Sequence, residues 1–506
     1  MSKPTRPNIL FITSDQQHWM AIGYNNPEVK TPNLDRLAAR GMIFDRSYCP
    51  NPTCTPTRSS LLTGMYPSQH GAYTLGTKLD ESIPTVNDSW HELGYTTGLV
   101  GKAHFQPLKS TDEFPSLEAY PTLQDLDFWR TFKGPFYGFD RFELARNHTD
   151  EAHVGQHYAL WMEEKGFKDW RECFSKPTGT SDPQYGRWNI PEEYHYNTWI
   201  SERTNALLDE FAAQDEPFFL WSSYFDPHPS YVVPAPWDTM YDPDKLTLPK
   251  GRPGEHDHNP RFHRYAMSTD ATRADFGIEE GTECMHGVHS HVEDEAKTRR
   301  DLAIYYGMVS FMDQAIGKTL DKLDELGLTD NTLIVFTTDH GHYLGHHGLI
   351  AKGPFHYEDG VKVPMLAAWP NHIPAGGRTQ ALQSLVDLPV TFLAAAGMPK
   401  PQKMTGVDQL AVWEGKAESA RDHCIVENNH EPGIAELKTY VDARYKLTVY
   451  HAYDEGELYD LEKDPGEFEN RFDDPDYAAV KTRLLQRFLQ AEMAKEVLPM
   501  PRVYGA

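Results

Sequence analysis

No apolar stretch in this 506-residue chain approaches the ~20 residues of a membrane-spanning helix, so a transmembrane protein is excluded as an expectation. Cysteine is scarce: Cys49, Cys54, Cys173, Cys284 and Cys424 make an odd, widely spaced set of five with no C-x-x-C pair. That pattern argues against a disulfide framework and against a structural zinc cluster. Positive charge is also in short supply, with 48 Lys and Arg against 74 Asp and Glu for a formal net charge of −26. A field of that sign repels nucleic acid and anionic membrane, so neither is expected as a partner. Residues 1–8 carry charge but no apolar signal-type core, which gives a cytoplasmic expectation.

What is present has the rhythm of an α/β protein. Residues 9–12 are a short apolar run with Asp15 just beyond its end. Such a run suits a parallel strand buried on both faces, and open α/β sheets gather functional groups at the carboxyl ends of strands. Thr31-Pro32 reads as an N-cap and first helical position, with Leu34, Leu37 and Ala38 on one face and Gly41 as the stop. Helices are expected at 59–63, closed by Gly64, and at 84–93, ended by Gly94. A strand at 96–100 then delivers Lys102 and His104. The alternation continues with a helix at 198–213, a strand at 218–221 and then His228. It closes with a helix at 298–326, a strand at 333–336 and then Asp339-His340. This predicts an α/β sandwich with a large, mostly parallel central sheet and four strand ends that converge chemically.

Segments 105–195 and 229–295 are polar, weakly periodic and rich in Pro, His and aromatics, as lids, binding loops or subunit contacts are. In the second, His256, His258, His263, His286, His289 and His291 lack a repeating ligand spacing. They are read as surface loop rather than a second metal site. Phe136, Tyr137, Trp188, Tyr224 and Tyr231 are compatible with an apolar leaving-group pocket and equally with core packing. After about residue 420 come short alternating strands and a helix at 477–494, the pattern of a small antiparallel sheet with one helix. The expected division is 1–420 and 421–506. Residues 497–504 are read as an arm on another subunit, hence a homo-oligomer, with a frayed tail as the alternative.

The most informative stretch is Asn51-Pro52-Thr53-Cys54-Thr55-Pro56-Thr57-Arg58, followed by Ser59-Ser60-Leu61-Leu62-Thr63-Gly64. C-x-P-x-R before a serine-containing LLTG segment resembles the signature of the type I sulfatases, formylglycine-dependent members of the alkaline phosphatase superfamily close to the phosphonate monoester hydrolase branch. The resemblance spans nearly the whole chain. It implies an alkaline-phosphatase-like sandwich with a smaller C-terminal domain.

It also implies that Cys54 is oxidised by a formylglycine-generating or maturase enzyme to an aldehyde whose hydrate attacks the ester. Arg58 would fix that diol. Asp15, Gln16, Cys54, Asp339 and His340 would surround one divalent metal, with Gln16 and His340 departing from the commoner Asp and Asn. Calcium is the family default, and a nitrogen ligand admits manganese or zinc. Lys102 and His104 match a G-K-x-H element that contacts sulfate and the diol. His228 matches a histidine facing the leaving oxygen, and Lys352 a lysine touching both. Arg58, Lys102, Lys352 and the metal would then form a positive pocket for a small anionic ester inside a negative protein.

The implied activity is hydrolysis of sulfate monoesters, aryl sulfates foremost, with promiscuity toward phosphate-type esters. Gln16 and His340 lean toward phosphonate monoester or phosphodiester hydrolysis, whereas Lys102 and His104 lean back toward sulfate. A reading from another class keeps Cys54 as a thiol in a non-catalytic metal- or ligand-binding protein.

Overall fold

The computed structural model describes residues 6–146, 154–175, 178, 185–249, 251–267, 294–430 and 435–497. Eight strands form the central sheet: β1 (Asn8–Ser14), β2 (Met42–Phe44), β3 (Thr96–Gly101), β4 (Arg141–Leu144), β5 (Phe218–Ser223), β6 (Thr332–Thr338), β7 (Met365–Ala368) and β8 (Gly377–Thr379). Their spatial order is β8-β2-β7-β6-β1-β5-β3-β4, and β7 alone runs antiparallel to its neighbours.

Alternation along the central strands feeds two hydrophobic layers. Ile9 and Phe11 of β1, with Leu333 and Val335 of β6, enter one layer. Leu10, Ile12, Ile334 and Phe336 enter the other. Burial on both faces is why these strands read as unbroken apolar runs. Helices cover the layers: α1 (Pro32–Ala39), α2 (Cys54–Thr63), α3 (Tyr196–Ala212) and the long α4 (Glu295–Glu325). Beyond residue 420 lies a four-stranded antiparallel sheet of β9 (Cys424–Asn429), β10 (Glu436–Val441), β11 (Tyr445–Tyr450) and β12 (Gly456–Asp460). α5 (Ala478–Ala494) packs Leu484, Phe488 and Ala491 against it.

Several expectations need correction. α2 starts at Cys54, five residues before the expected 59, because a proline in the first turn has no intrahelical N–H to lose. Thr31 makes no side-chain cap; Asp313 of α4 instead accepts from the Asn33 and Leu34 amides at 3.1 and 2.8 Å. Segment 105–195 is not wholly irregular, since β4 extends the central sheet. His256 and His263 are buried rather than on a surface loop, while His258 is exposed. His286, His289 and His291 lie outside the described residues, as does 498–506. The five aromatics named above sit in the hydrophobic layers, which makes them core. The four described cysteines are free thiols. Among the described residues no helix is long and apolar enough to cross a membrane.

Candidate active site

Register brings the strand ends level. Thr13 of β1 pairs with Ser223 of β5 and Thr337 of β6, and Gly101 of β3 pairs with the same Ser223. The residues that follow therefore leave the sheet side by side: Asp15 and Gln16, Lys102 and His104, and Asp339 and His340. Gln16 and His104 turn sharply at φ 58° and 57°, a left-handed backbone that a side-chain-bearing residue holds only at some cost.

α2 brings the cysteine. Asn51 Oδ1 accepts from the Thr53 amide at 2.8 Å and the Thr53 hydroxyl at 2.6 Å, and Thr57 Oγ1 donates to the Asn51 carbonyl at 2.6 Å. This fixes the entry to the helix, whose ten residues are all buried. Gly64 ends it at φ 65° with Met404 packed against it. Cys54 thus sits at the partly positive helix start, with Arg58 one turn on along the same face.

Cys54 Sγ lies 3.1 Å from His340 Nε2, 3.1 Å from Lys352 Nζ and 3.6 Å from Asp15 Oδ1. His340 Nδ1 is 2.9 Å from the Gly341 carbonyl, which must accept a proton there, so Nε2 turns its lone pair toward the sulfur. Arg58 donates through Nε to Asp339 Oδ2 at 2.8 Å and through Nη1 to Ser223 Oγ at 2.7 Å and the Lys102 carbonyl at 3.0 Å. Lys102 Nζ is ion-paired with Asp15. Lys352 Nζ also approaches His228 Nε2 at 3.2 Å. The sequence-predicted residues thus come together. His228 is part-exposed while the others are buried, so the cluster faces outward on the His228 side.

Burial dominates the electrostatics. It would raise the Asp15 carboxyl, but Lys102, Arg58 and Lys352 outweigh it and hold the group well below its ordinary range. Burial and Asp15 push the Cys54 thiol up; Lys102 and then Lys352 reverse this to a net fall. Burial, then Lys352, drives His228 well below the ordinary histidine value. His104 falls likewise through burial, then Arg146. Both imidazoles are neutral at neutral pH.

The residues fit a divalent metal. Ligand atoms of Asp15, Cys54, Asp339 and His340 all lie within 4.8 Å of one another and are buried. Gln16 Oε1 is buried with no hydrogen-bond partner, an uncompensated group that a cation would satisfy. Gln16 also donates its amide N–H to Asp339 Oδ1 at 3.0 Å, so it belongs to the same cluster.

Sequence reasoning missed Arg146 and Glu118. Arg146 Nη2 lies 2.6 Å from His104 Nε2, and Nη1 lies 2.8 Å from Glu118 Oε2, all three residues being buried. The guanidinium donates to Nε2, so it sets the tautomer and orientation of His104. Phe142 and Leu144 alternate along β4 two residues before Arg146, and that alternation was the available signal. Ser223, which holds Arg58, was also missed; it ends β5 two residues beyond the expected strand 218–221.

The Sulfatase family model matches residues 7–398, and the model for the N-sulphoglucosamine sulphohydrolase C-terminal region matches residues 345–494. The chain is 28% identical over 484 residues to an uncharacterized sulfatase, YidJ, of Escherichia coli K12, covering 95% of this chain and 86% of that protein. It is 28% identical over 530 residues to the multifunctional alkaline phosphatase superfamily protein PehA of Trinickia caryophylli, covering 96% and 95%. Among solved structures, the phosphonate monoester hydrolase of Agrobacterium radiobacter superposes with a TM-score of 0.80 at 25% identity, covering 99% of this chain and 98% of that one.

Proposed function

The chain belongs to the sulfatase family of the alkaline phosphatase superfamily, and from that premise we propose that it hydrolyses sulfate monoesters, aryl sulfates foremost, through a formylglycine made from Cys54. The observation that carries this reading is the Cys54 side chain at a helix start, within 3.6 Å of Asp15, His340 and Lys352 at once. A packing cysteine has no use for an acid, an imidazole and an ammonium around its sulfur.

Asp15, Gln16, Asp339, His340 and the converted residue 54 would hold one divalent metal, calcium by family default, with manganese or zinc suited to the imidazole nitrogen. Bound there, it supplies Lewis-acid charge that makes a neighbouring hydroxyl a better nucleophile. The aldehyde adds water to give a diol. One diol oxygen forms the new O–S bond as the S–O bond to the alcohol breaks. Lys352 and His228, 3.2 Å apart, face the departing oxygen, and the Lys352 ammonium supplies its proton. The remaining hydroxyl gives up its proton to solvent beside His104, and its electrons re-form the aldehyde and expel sulfate. Arg58 and Lys102 offset the negative charge that gathers meanwhile.

A modifying enzyme that oxidises Cys54 is the required partner, and we place the protein in the cytoplasm as a homo-oligomer. A second reading, phosphonate monoester or phosphodiester hydrolysis by the same nucleophile, draws support from Gln16 and His340 and from the likeness to a phosphonate monoester hydrolase. The test compares kcat/KM for p-nitrophenyl sulfate and p-nitrophenyl phenylphosphonate, using wild type co-expressed with a formylglycine-generating enzyme and Cys54→Ala. Sulfate preference that collapses in the variant is expected. A phosphonate preference would keep the nucleophile and overturn the assignment of Lys102 and His104 to sulfate.

A further inference from the structure

A second group of metal-type side chains stands apart from the nucleophile. His18, His346 and Asp359 present ligand atoms that all lie within 4.8 Å of one another. They are distant in sequence, but the fold ties their loops together. The His18 amide donates to Tyr305 Oη at 2.9 Å, and that hydroxyl donates to the Gln16 carbonyl at 2.8 Å. The His342 amide donates to the Asp359 carbonyl at 2.9 Å, pinning the His346 turn to the short helix Glu358–Val361.

We propose that His18 Nε2, His346 Nδ1 and an Asp359 carboxylate oxygen form a second metal site, selective for a transition-metal dication of the zinc type. Asp359 Oδ1 is 2.8 Å from His18 Nε2 and 3.5 Å from His346 Nδ1. Ligands of a tetrahedral zinc at ~2.0–2.1 Å stand roughly 3.3 Å from one another, so these spacings bracket the requirement. Two imidazoles and one carboxylate are a poor cage for calcium or magnesium, which take six or more oxygens. The three residues line a cavity of about 460 Å³, shared with Met20, Tyr306 and Phe468. The cavity gives the ion an entry path and leaves its fourth position to water or a small ligand. Behind the carboxylate, the His347 ring lies with Nε2 3.6 Å from Asp359 Oδ2 and is held at Nδ1, 3.1 Å from Glu255 Oε1.

The competing arrangement is a plain hydrogen bond from His18 Nε2–H to Asp359, with His18 Nδ1 accepting the Met20 amide at 3.1 Å. Metal binding moves the ring proton to Nδ1 and releases that amide. Met20 lines the same cavity, where water can take the hydrogen bond over, so the loss is small beside three metal–ligand bonds.

The test is a Zn²⁺ titration with stoichiometry read by calorimetry and by metal analysis after gel filtration. Wild type, His346→Ala and Asp15→Asn/Asp339→Asn are compared, with circular dichroism to confirm the fold. His346 is partly exposed, so its loss is compatible with folding. The expected result is that His346→Ala binds one ion fewer per chain than wild type, with at least a hundredfold loss of affinity at the missing site. Asp15→Asn/Asp339→Asn retains the His346-dependent ion. If the Asp15–Asp339 cluster holds no metal, wild type binds one ion and His346→Ala none, which separates the two sites. Equal zinc content in wild type and His346→Ala would overturn the proposal.

Discussion

Two buried charged clusters in this protein are built on opposite terms. Around Cys54, Arg58, Lys102 and Lys352 crowd Asp15 and Asp339, two imidazoles are forced neutral, and Gln16 Oε1 and Arg58 Nη2 are buried without hydrogen-bond partners. In the C-terminal sheet, Glu457 of β12 is fully provided for. Tyr450 and Tyr459 donate to its two oxygens at 2.8 and 3.1 Å, and His263 lies 3.3 Å away. The first cluster keeps unmet hydrogen bonds and like charges in close quarters, which suits chemistry rather than packing. The second centres on one carboxylate whose two oxygens are both hydrogen-bonded, as in a structural joint. Substitutions should therefore separate activity from stability according to which cluster they enter.

The largest effect is expected at Cys54. Cys54→Ala should lower kcat/KM for an aryl sulfate by about 10⁴-fold or more while leaving the unfolding free energy within ~1 kcal/mol, checked by kinetics and urea denaturation on the same preparation. A large loss of stability would make Cys54 a core residue and erase the contrast.

Glu457→Gln should do the reverse, costing about 3 kcal/mol of stability because a buried partner is lost, with kcat per folded molecule unchanged. Its pH dependence sharpens the point. Burial would raise the Glu457 carboxyl, but His263 and Tyr450 outweigh it and lower it from 4.5 to about 2. A depressed folded value gives stability that is present above the unfolded value and lost as pH falls through the folded one. The penalty of Glu457→Gln should therefore be full at pH 6 and shrink between pH 4.5 and about 2. A penalty independent of pH would contradict this.

Arg146→Gln should lower kcat/KM about 10²-fold by freeing His104 to reorient. Arg146→Lys should restore part of it, and the acid limb of the pH–rate profile should move upward as a neighbouring cation is lost. A change in KM alone would deny Arg146 the positioning role. The smallest effect is on stability at Lys352: Lys352→Met should be neutral or stabilising by roughly 1 kcal/mol, since it removes a buried ammonium crowded against two imidazoles.

The legible parts of the fold and the illegible ones divide along the same line. β1, β3, β5 and β6 were readable because burial on both faces leaves an apolar run, and the chemistry follows immediately in sequence. Asp15, Lys102, His228 and Asp339 could thus be placed from local pattern. The start of α2 was not, because Pro56 resembles a stop when it is in fact a tolerated first-turn residue. β4 is a four-residue edge strand, so the Phe142–Leu144 alternation that leads on to Arg146 was a short signal, easily passed over. His263 looked like loop because its partner, Glu457, is nearly two hundred residues away. Pairings of that range belong to tertiary structure, and no spacing rule reports them.

The central claim is that residue 54 acts only after conversion. Its most direct test is the aryl sulfate turnover rate plotted against the fraction of Cys54 converted to formylglycine. That fraction is read by peptide mass spectrometry across preparations made with graded amounts of the modifying enzyme. A straight line through the origin is the predicted result. Activity that persists in fully unconverted protein, or stays flat as conversion rises, would contradict the account.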